Sequence, residues 1–255
     1  MKVFLPVLID ESQSSFVPGR AITENVVVAF ELIHYMKRKT HGKVGDVALK
    51  IDISKAYDRI RWDYLKAIML RMGFDSKWVE WIMLCVSTVS YSVSVNGELV
   101  RPFSPRRGLR QEDPLSPYLF IICAEGLSSL IKHVERWGAI HGCRICRGAP
   151  TISHILFTDD SFFFFRANAI ESSTMHTIFA KYESDSRQAI NFQKSGIFFS
   201  RNVSSLDRDF ISNILGVSTP LNTGRYLGLP YLIGKSKRVV FGFLRDRLWR
   251  RLQGW

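Results

Sequence analysis

The sequence predicts an α+β fold in which helices pack on an antiparallel sheet. Three observations predict it. VALKIDIS (47–54) alternates like a strand with one buried face, and YSVSVNGELVRPF alternates on either side of Asn96-Gly97, a hairpin pattern. A second hairpin is expected over 152–165, where apolar residues lead to Thr158-Asp159-Asp160-Ser161 and then four phenylalanines. Helical stretches interrupt these strands irregularly, which suits an antiparallel sheet better than a doubly wound parallel one.

The remaining elements follow in order. Segment 22–39 (ITENVVVAFELIHYMKRK) has helical apolar spacing and closes on basic residues suited to a helix C-terminus. Residues 62–72 and 75–89 read as two helices separated by Gly73. After RRGLRQED, Pro114 is expected in the first turn of a long helix reaching about Arg136. Residues 170–187 read as a helix, GIFFS as a strand and 206–215 as a short helix. YLGLP (226–230) reads as a final strand ahead of a basic helix, 237–251. No repeat or linker divides the chain, so one continuous domain is expected.

Charge narrows the partners. Thirty-five Lys and Arg against 23 Asp and Glu give a net +12, which favours a polyanion, because each neutralised phosphate releases condensed counterions. The four cysteines are too few for a disulfide framework. Cys143 and Cys146 form a C-x-x-C near His141 and His154, yet no second pair completes a four-ligand zinc set. The N-terminal apolar stretch is broken by Pro6 and Asp10, too short for a secretory signal, and SFFFF (161–165) is far below a membrane span. A nuclear or cytoplasmic location is expected, with no membrane partner. The chain closes on RLQGW within a basic pattern, as an excerpt of a longer protein would.

Three carboxylates carry the chemistry. Asp52 lies within an otherwise apolar strand, where a carboxylate is costly unless it points outward, is paired, or holds a cation. Asp159 and Asp160 are adjacent at a turn, and a divalent cation would relieve their repulsion. Hard oxygen ligands suit Mg2+. If the hairpin lies beside the Asp52 strand, three carboxylates share one sheet edge, suited to two ions roughly 3.5–4 Å apart and to in-line phosphoryl transfer. A solvated turn is the commoner setting for an Asp-Asp pair, so the neighbouring residues decide.

Those neighbours resemble the reverse transcriptases of plant-type non-LTR retrotransposons, the LINE family. ALKIDISKAYDRIRWDYL (48–65) resembles polymerase motif A, GLRQEDPLSPYLF (108–120) motif B and ILFTDDSFFF (155–164) motif C. INFQKS (190–195) is similar to motif D and YLGLP to motif E, the primer grip. ESQSSFVPGRAITENV (11–26) resembles the finger segment upstream of motif A. The resemblance implies a right-hand polymerase palm with a ferredoxin-like antiparallel sheet. Partial fingers would occupy 1–46, the palm 47–234 and the start of a thumb 235–255.

It also implies roles. Asp52 and Asp159 would be the principal metal ligands, with Asp160 a third carboxylate and the Ile53 carbonyl a further contact. Two Mg2+ ions are implied, with Mn2+ as a substitute. Tyr57 falls at the steric gate that favours dNTPs, Gln111 at the incoming nucleotide and template, and Arg20 near template or nucleotide phosphate. Lys194 would assist pyrophosphate departure. Tyr226, Leu227 and Gly228 would form the primer grip. RNA template, DNA primer and dNTPs are the implied partners.

The chain departs from the family at two places. Glu112 stands where motif B usually has glycine, adding bulk and negative charge beside phosphates. Thr158 stands where motif C usually has alanine. In the family, fingertip strands carrying triphosphate-binding Lys and Arg would precede residue 10, and a thumb and endonuclease lie outside this segment. Two other readings therefore stand beside the polymerase: a disabled remnant that only binds nucleic acid or Mg2+, and an unrelated Mg2+-dependent phosphohydrolase or nuclease. The latter calls for extra acid or His ligands around a water nucleophile, a set absent from the sequence.

Overall fold

Strand β1 (Asp46–Ser54) is the spine of the molecule, hydrogen-bonded on both edges. One edge pairs antiparallel with β5 (Asp160–Arg166), and β5 pairs in turn with β4 (His154–Phe157). The other edge pairs antiparallel with β6 (Ala189–Ile190) and β7 (Gly196–Phe199). The computed structural model describes residues 2–221 and 225–230, together with Gly242, Trp249, Arg250 and Gln253. Between β1 and β4 the chain runs through α3 (Trp62–Arg71), α4 (Ser76–Ser87) and α5 (Ser116–Arg136). Between β5 and β6 it runs through α6 (Ala169–Ser186). The spatial order β7-β1-β5-β4, with α5 and α6 as crossovers, is the ferredoxin-like split βαβ arrangement expected from the sequence.

Alternation on β1 divides the core in two. Val47, Leu49, Ile51 and Ile53 face a large apolar core with Phe163, Phe165, Leu65, Met69, Val79, Leu119 and Phe179, drawn from β5 and helices α3 to α6. Ala48 faces the other side, packed with Phe162, Phe164 and the Ala29, Leu32, Ile33 and Met36 stripe of α2 (Ile22–Arg38). The four consecutive phenylalanines thus serve both faces, and each contributes about 2 kcal/mol of apolar burial. On the second face the apolar floor stops at Phe162. Lys50 lies opposite it, and beyond lie Asp52 and Asp160.

The segment before α2 covers the outer edge of β4. Leu156 N–H donates to the Ser12 carbonyl (2.8 Å) and Ser14 N–H donates to the Leu156 carbonyl (3.2 Å). The Asn25 amide adds a bond to the Leu156 carbonyl at 2.8 Å, so this edge is not left open. A buried polar cluster reinforces the seam: His154 Nε2 lies 2.8 Å from both Ser12 Oγ and Ser128 Oγ, and Ser153 Oγ donates to Glu135 at 2.8 Å.

Several expectations are corrected. YLGLP is a tight hairpin, not one strand: β8 (Arg225–Tyr226) pairs with β9 (Leu229–Pro230). Leu227 and Gly228 take φ of +50° and +81°, the double positive φ of a two-residue hairpin turn. Helix α5 begins at Ser116 with Pro117 in its first turn, because the Asp113 carboxylate accepts from Leu115 N–H (2.8 Å) and holds Pro114 outside. Around Asn96-Gly97 the ladder is limited to β2 (Ser94–Val95) and β3 (Glu98–Leu99), closed by a bridge between Tyr91 and Phe103. A short helix α1 (Leu5–Leu8) and β6 were not anticipated, and 206–215 is realised as α7 (Ser205–Leu215). Of the expected basic helix 237–251, only Gly242, Trp249 and Arg250 fall within the described residues.

Candidate active site

The register brings the three aspartates to one end of the sheet. Asp52 is the direct cross-strand partner of Asp160. Asn191 N–H donates to the Asp52 carbonyl (2.8 Å), so the polar backbone groups of Asp52 point toward β6 and those of Ile53 toward the Asp159 side. Asp52 and Asp160 therefore form the non-hydrogen-bonded kind of pair, with Cα atoms about 4.5 Å apart and side chains on one face. Phe157 pairs with Asp160, which leaves Thr158 and Asp159 as a two-residue turn. Thr158 takes φ +52°, an awkward conformation for a β-branched residue, and its hydroxyl donates to the Phe157 carbonyl at 2.6 Å.

Like charges directly opposite on adjacent strands repel. Here Lys50, two residues before Asp52 and so on the same face, places Nζ 3.0 Å from Asp160 Oδ1. The i, i+2 spacing places Lys50 on the face of Asp52, but its contact with Asp160 depends on the β1–β5 register.

Two turns brace the site. The Ser195 hydroxyl sits 3.2 Å from the Asp52 N–H and donates to the Asn191 carbonyl (2.8 Å), binding loop 191–195 to β1. Lys194 rides on that loop with an exposed side chain that forms no ion pair among the described residues. The turn after β1 is clamped to motif B: Leu109 N–H donates to the Tyr57 carbonyl (2.9 Å) and Gly108 N–H to the Ile60 carbonyl (2.8 Å). The Trp62 indole N–H then donates to the Gly108 carbonyl at 2.7 Å.

The Tyr57 ring stacks on Phe120 of α5 with centroids 4.6 Å apart. Burial, helped by the charge of Asp159, pushes its phenol up to about 12. Gln111 and Glu112 are exposed on the loop that follows, and Glu112 takes φ +66°. The glycine usual at that place would thus meet a backbone requirement, beyond the close approach read from the sequence.

Tyr226 is buried against Phe162, edge to face with centroids 4.9 Å apart. Burial raises its phenol well above the ordinary tyrosine range, and the charge of Asp160 acts in the same direction. Leu227 and Gly228 follow at the hairpin turn. Arg20 has a structural task. Its guanidinium donates to the carbonyls of Asp10, Gln13, Ile9 (2.8 Å) and Pro6 (3.4 Å), committing four of its five N–H groups.

The C-x-x-C is divided between a buried Cys143, bridged to Ile152, and an exposed Cys146. Its neighbour His141 is engaged by Glu171 (2.9 Å), and burial pushes the Cys143 thiol up to about 12. Among the described residues, no group of three or more His, Cys, Asp or Glu is close enough to hold a metal ion. No helix among them is long and apolar enough to cross a membrane.

With this topology and these carboxylates in view, comparison is decisive: residues 1–231 match the family described as reverse transcriptase (RNA-dependent DNA polymerase). The chain belongs to the reverse transcriptase family. This reverse transcriptase chain is 25% identical over 227 residues to the retrovirus-related Pol polyprotein from type-1 retrotransposable element R2 of Popillia japonica, covering 84% of this chain and 36% of that protein. It is 48% identical over 67 residues to an uncharacterized mitochondrial protein of Arabidopsis thaliana, covering 26% of this chain and 55% of that one. In fold, the reverse transcriptase chain is similar to apo telomerase from Candida tropicalis truncated from its C-terminal domain. There the TM-score is 0.57 at 14% identity, over 86% of this chain and 39% of the telomerase.

Proposed function

We propose that this chain is the RNA-directed DNA polymerase domain of a non-LTR retrotransposon, with Asp52 and Asp159 as the principal ligands of two divalent cations. The observation that most supports it is the antiparallel register of motifs A and C, Asp52 opposite Asp160 with Asp159 in the intervening turn. The donor set fits Mg2+, or Mn2+ in its place: carboxylate oxygens and the Ile53 carbonyl, on a face where the apolar floor has ended. When bound, such ions supply activation of a primer 3′-hydroxyl and charge neutralisation at the departing pyrophosphate.

The chain's own residues then have definable tasks. Tyr57, stiffened by Phe120, walls the nucleotide site on the ribose side and disfavours a 2′-hydroxyl. Gln111, on the exposed loop that leads to α5, contacts the incoming nucleotide and template base. Lys194 carries a proton and a positive charge toward the pyrophosphate. The turn Tyr226-Leu227-Gly228 supports the primer strand. Net charge of +12 suits an RNA template and DNA primer. Residues 1–46 act as partial fingers, 47–234 as palm and 235–255 as the start of the thumb connection, the last lying almost wholly outside the described residues.

One observation favours a second reading, a palm that binds nucleic acid and cation without turnover: Glu112, a carboxylate where motif B usually has glycine, is exposed and stands at φ +66°. Incorporation of dTTP on poly(rA)/oligo(dT) with Mg2+ or Mn2+ tests both, comparing the chain with Asp159→Ala and Glu112→Gly. The polymerase reading expects incorporation that Asp159→Ala abolishes. Incorporation indifferent to Asp159→Ala sinks the site assignment. Silence even from Glu112→Gly, with RNA–DNA binding retained, selects the binding palm.

A further inference from the structure

We propose that Lys50 is a positioning residue of this site: its ammonium holds the Asp160 carboxylate, leaving Asp52 and Asp159 as the carboxylate ligands and Asp160 outside the metal shell. The inference rests on the polymerase reading and makes it more specific. Sequence alone treats Asp159 and Asp160 as one acidic pair, but the fold gives them different neighbours.

Lys50 lies opposite Phe162, two residues farther from the turn than Asp160. The 3.0 Å contact between Lys50 Nζ and Asp160 Oδ1 is therefore the diagonal pair of an antiparallel ladder. It draws the Asp160 carboxylate down the strand, away from the Thr158-Asp159 turn. The surroundings of the two carboxylates differ in the same way: Asp159 lies in the turn with Thr158, whereas Asp160 is in the ladder, two residues before Phe162, on which Tyr226 packs edge to face. The three carboxylates accordingly fail to converge into a cluster of three ligands.

The charge arrangement explains why such a pair would be useful. Asp52 and Asp160 face each other across the narrow kind of pair, a repulsive placement for two carboxylates. A lysine within the ladder relieves it whether or not a metal is bound. Lys50 thereby reserves the site for ligands coming from β1 and the turn, and removes one negative charge from the region that receives a triphosphate.

Mn2+ binding to the full chain, followed by the electron paramagnetic resonance signal of free Mn2+, tests this without turnover. Asp159→Asn is expected to weaken binding by roughly tenfold or more, and Asp160→Asn by less than about threefold. Lys50→Met frees Asp160 and is expected to tighten binding roughly fivefold, with Lys50→Arg close to the parent. That tightening should vanish in Lys50→Met/Asp160→Asn. If Asp160→Asn weakens Mn2+ as much as Asp159→Asn, or the tightening persists in the double variant, the proposal is overturned.

A metal-free arm separates this from failure of the polymerase reading. In EDTA, the melting-temperature losses of Lys50→Met and Asp160→Asn should be non-additive, the double variant melting no lower than the worse single one. Additive losses overturn the pair. Mn2+ binding indifferent to both Asp52→Asn and Asp159→Asn removes the carboxylate metal site itself, and with it the role given to Lys50, even if the pair is intact in EDTA.

Discussion

Gly108 lies backbone to backbone against Asp58: a Cβ at Gly108 would stand 2.7 Å from the Asp58 carbonyl oxygen and 3.0 Å from its Cα. This is the closest point of the clamp between the turn after β1 and motif B. It carries Tyr57 on one side and Gln111 on the other.

A methyl group at Gly108 meets two obstacles, the φ of +87° and a wall of backbone that cannot swing aside. Gly108→Ala is expected to lower unfolding free energy by about 3 kcal/mol. Gly73 has the same φ of +87° with nothing within 4 Å of its virtual Cβ, so Gly73→Ala should lose only about 1 kcal/mol. Urea denaturation of both variants checks the difference. Equal losses would mean that dihedral strain alone governs Gly108.

Glu112 makes the opposite case, a side chain where glycine is easier. At φ +66° and exposed, Glu112→Gly should stabilise the chain by about 1 kcal/mol. Glu112→Ala keeps the backbone penalty and should leave the urea midpoint near that of the parent. A gain from alanine equal to that from glycine would point to charge in place of backbone conformation.

A buried group and a half-buried one oppose each other in their dependence on pH. Burial pulls His154 down to about 4 from its usual 6.5, with Lys132 assisting and Asp10 opposing. The unfolded chain takes up that proton first, so stability falls as pH drops from about 6.5 to 4. Burial pushes Glu125 up to about 7 from 4.5, Asp10 adding through its charge while its N–H counteracts. The folded chain keeps that proton while the unfolded chain ionises, so stability falls as pH rises from about 4.5 to 7. Between about 4.5 and 6.5 the slopes offset one another. His154→Gln should therefore expose a loss of roughly 1 kcal/mol per pH unit with rising pH, and Glu125→Gln a comparable gain. Urea midpoints at three pH values across that window check both signs.

Tyr57 supports a prediction about selectivity. Its ring is stacked on Phe120 and its carbonyl is bonded by Leu109, so the wall it forms is fixed at both ends. Tyr57→Val should reduce the preference for dTTP over UTP on poly(rA)/oligo(dT) by roughly 10- to 100-fold, with a smaller effect on dTTP incorporation itself. An unchanged ratio would remove Tyr57 from the gate.

Much of this fold is readable from short-range pattern. The alternation of VALKIDIS, the helical spacing of 22–39 and the turn at Thr158-Asp159 each reflect local backbone preference joined to one buried face, and β1, α2 and the β4–β5 hairpin realise them. What escaped reading depends on partners distant in sequence. Residues 12–14 pair with Leu156, Arg20 folds back on the carbonyls of 6–13, and β6 has two residues with no periodicity to detect. The positive φ at Glu112 and Leu227 escaped for the opposite reason: neither residue type announces the conformation it is made to adopt. At the candidate site, Asp52 and Asp160 could be inferred as neighbours. The lysine that distinguishes Asp160 from Asp159 emerges only once the strand register is known.

β1 is covered on both edges and both faces, which makes it the segment expected to exchange its amide protons last. Exposed loops, Glu112 among them, open and change at little cost to it. The carboxylate of Asp52 is thus anchored in the most persistent part of the molecule, while the exposed loop that carries Glu112 lies in the part that yields first. A lineage free to drift would lose the loop's fit long before it lost the aspartates' arrangement, so in this architecture the aspartate register is also the most durable record of descent.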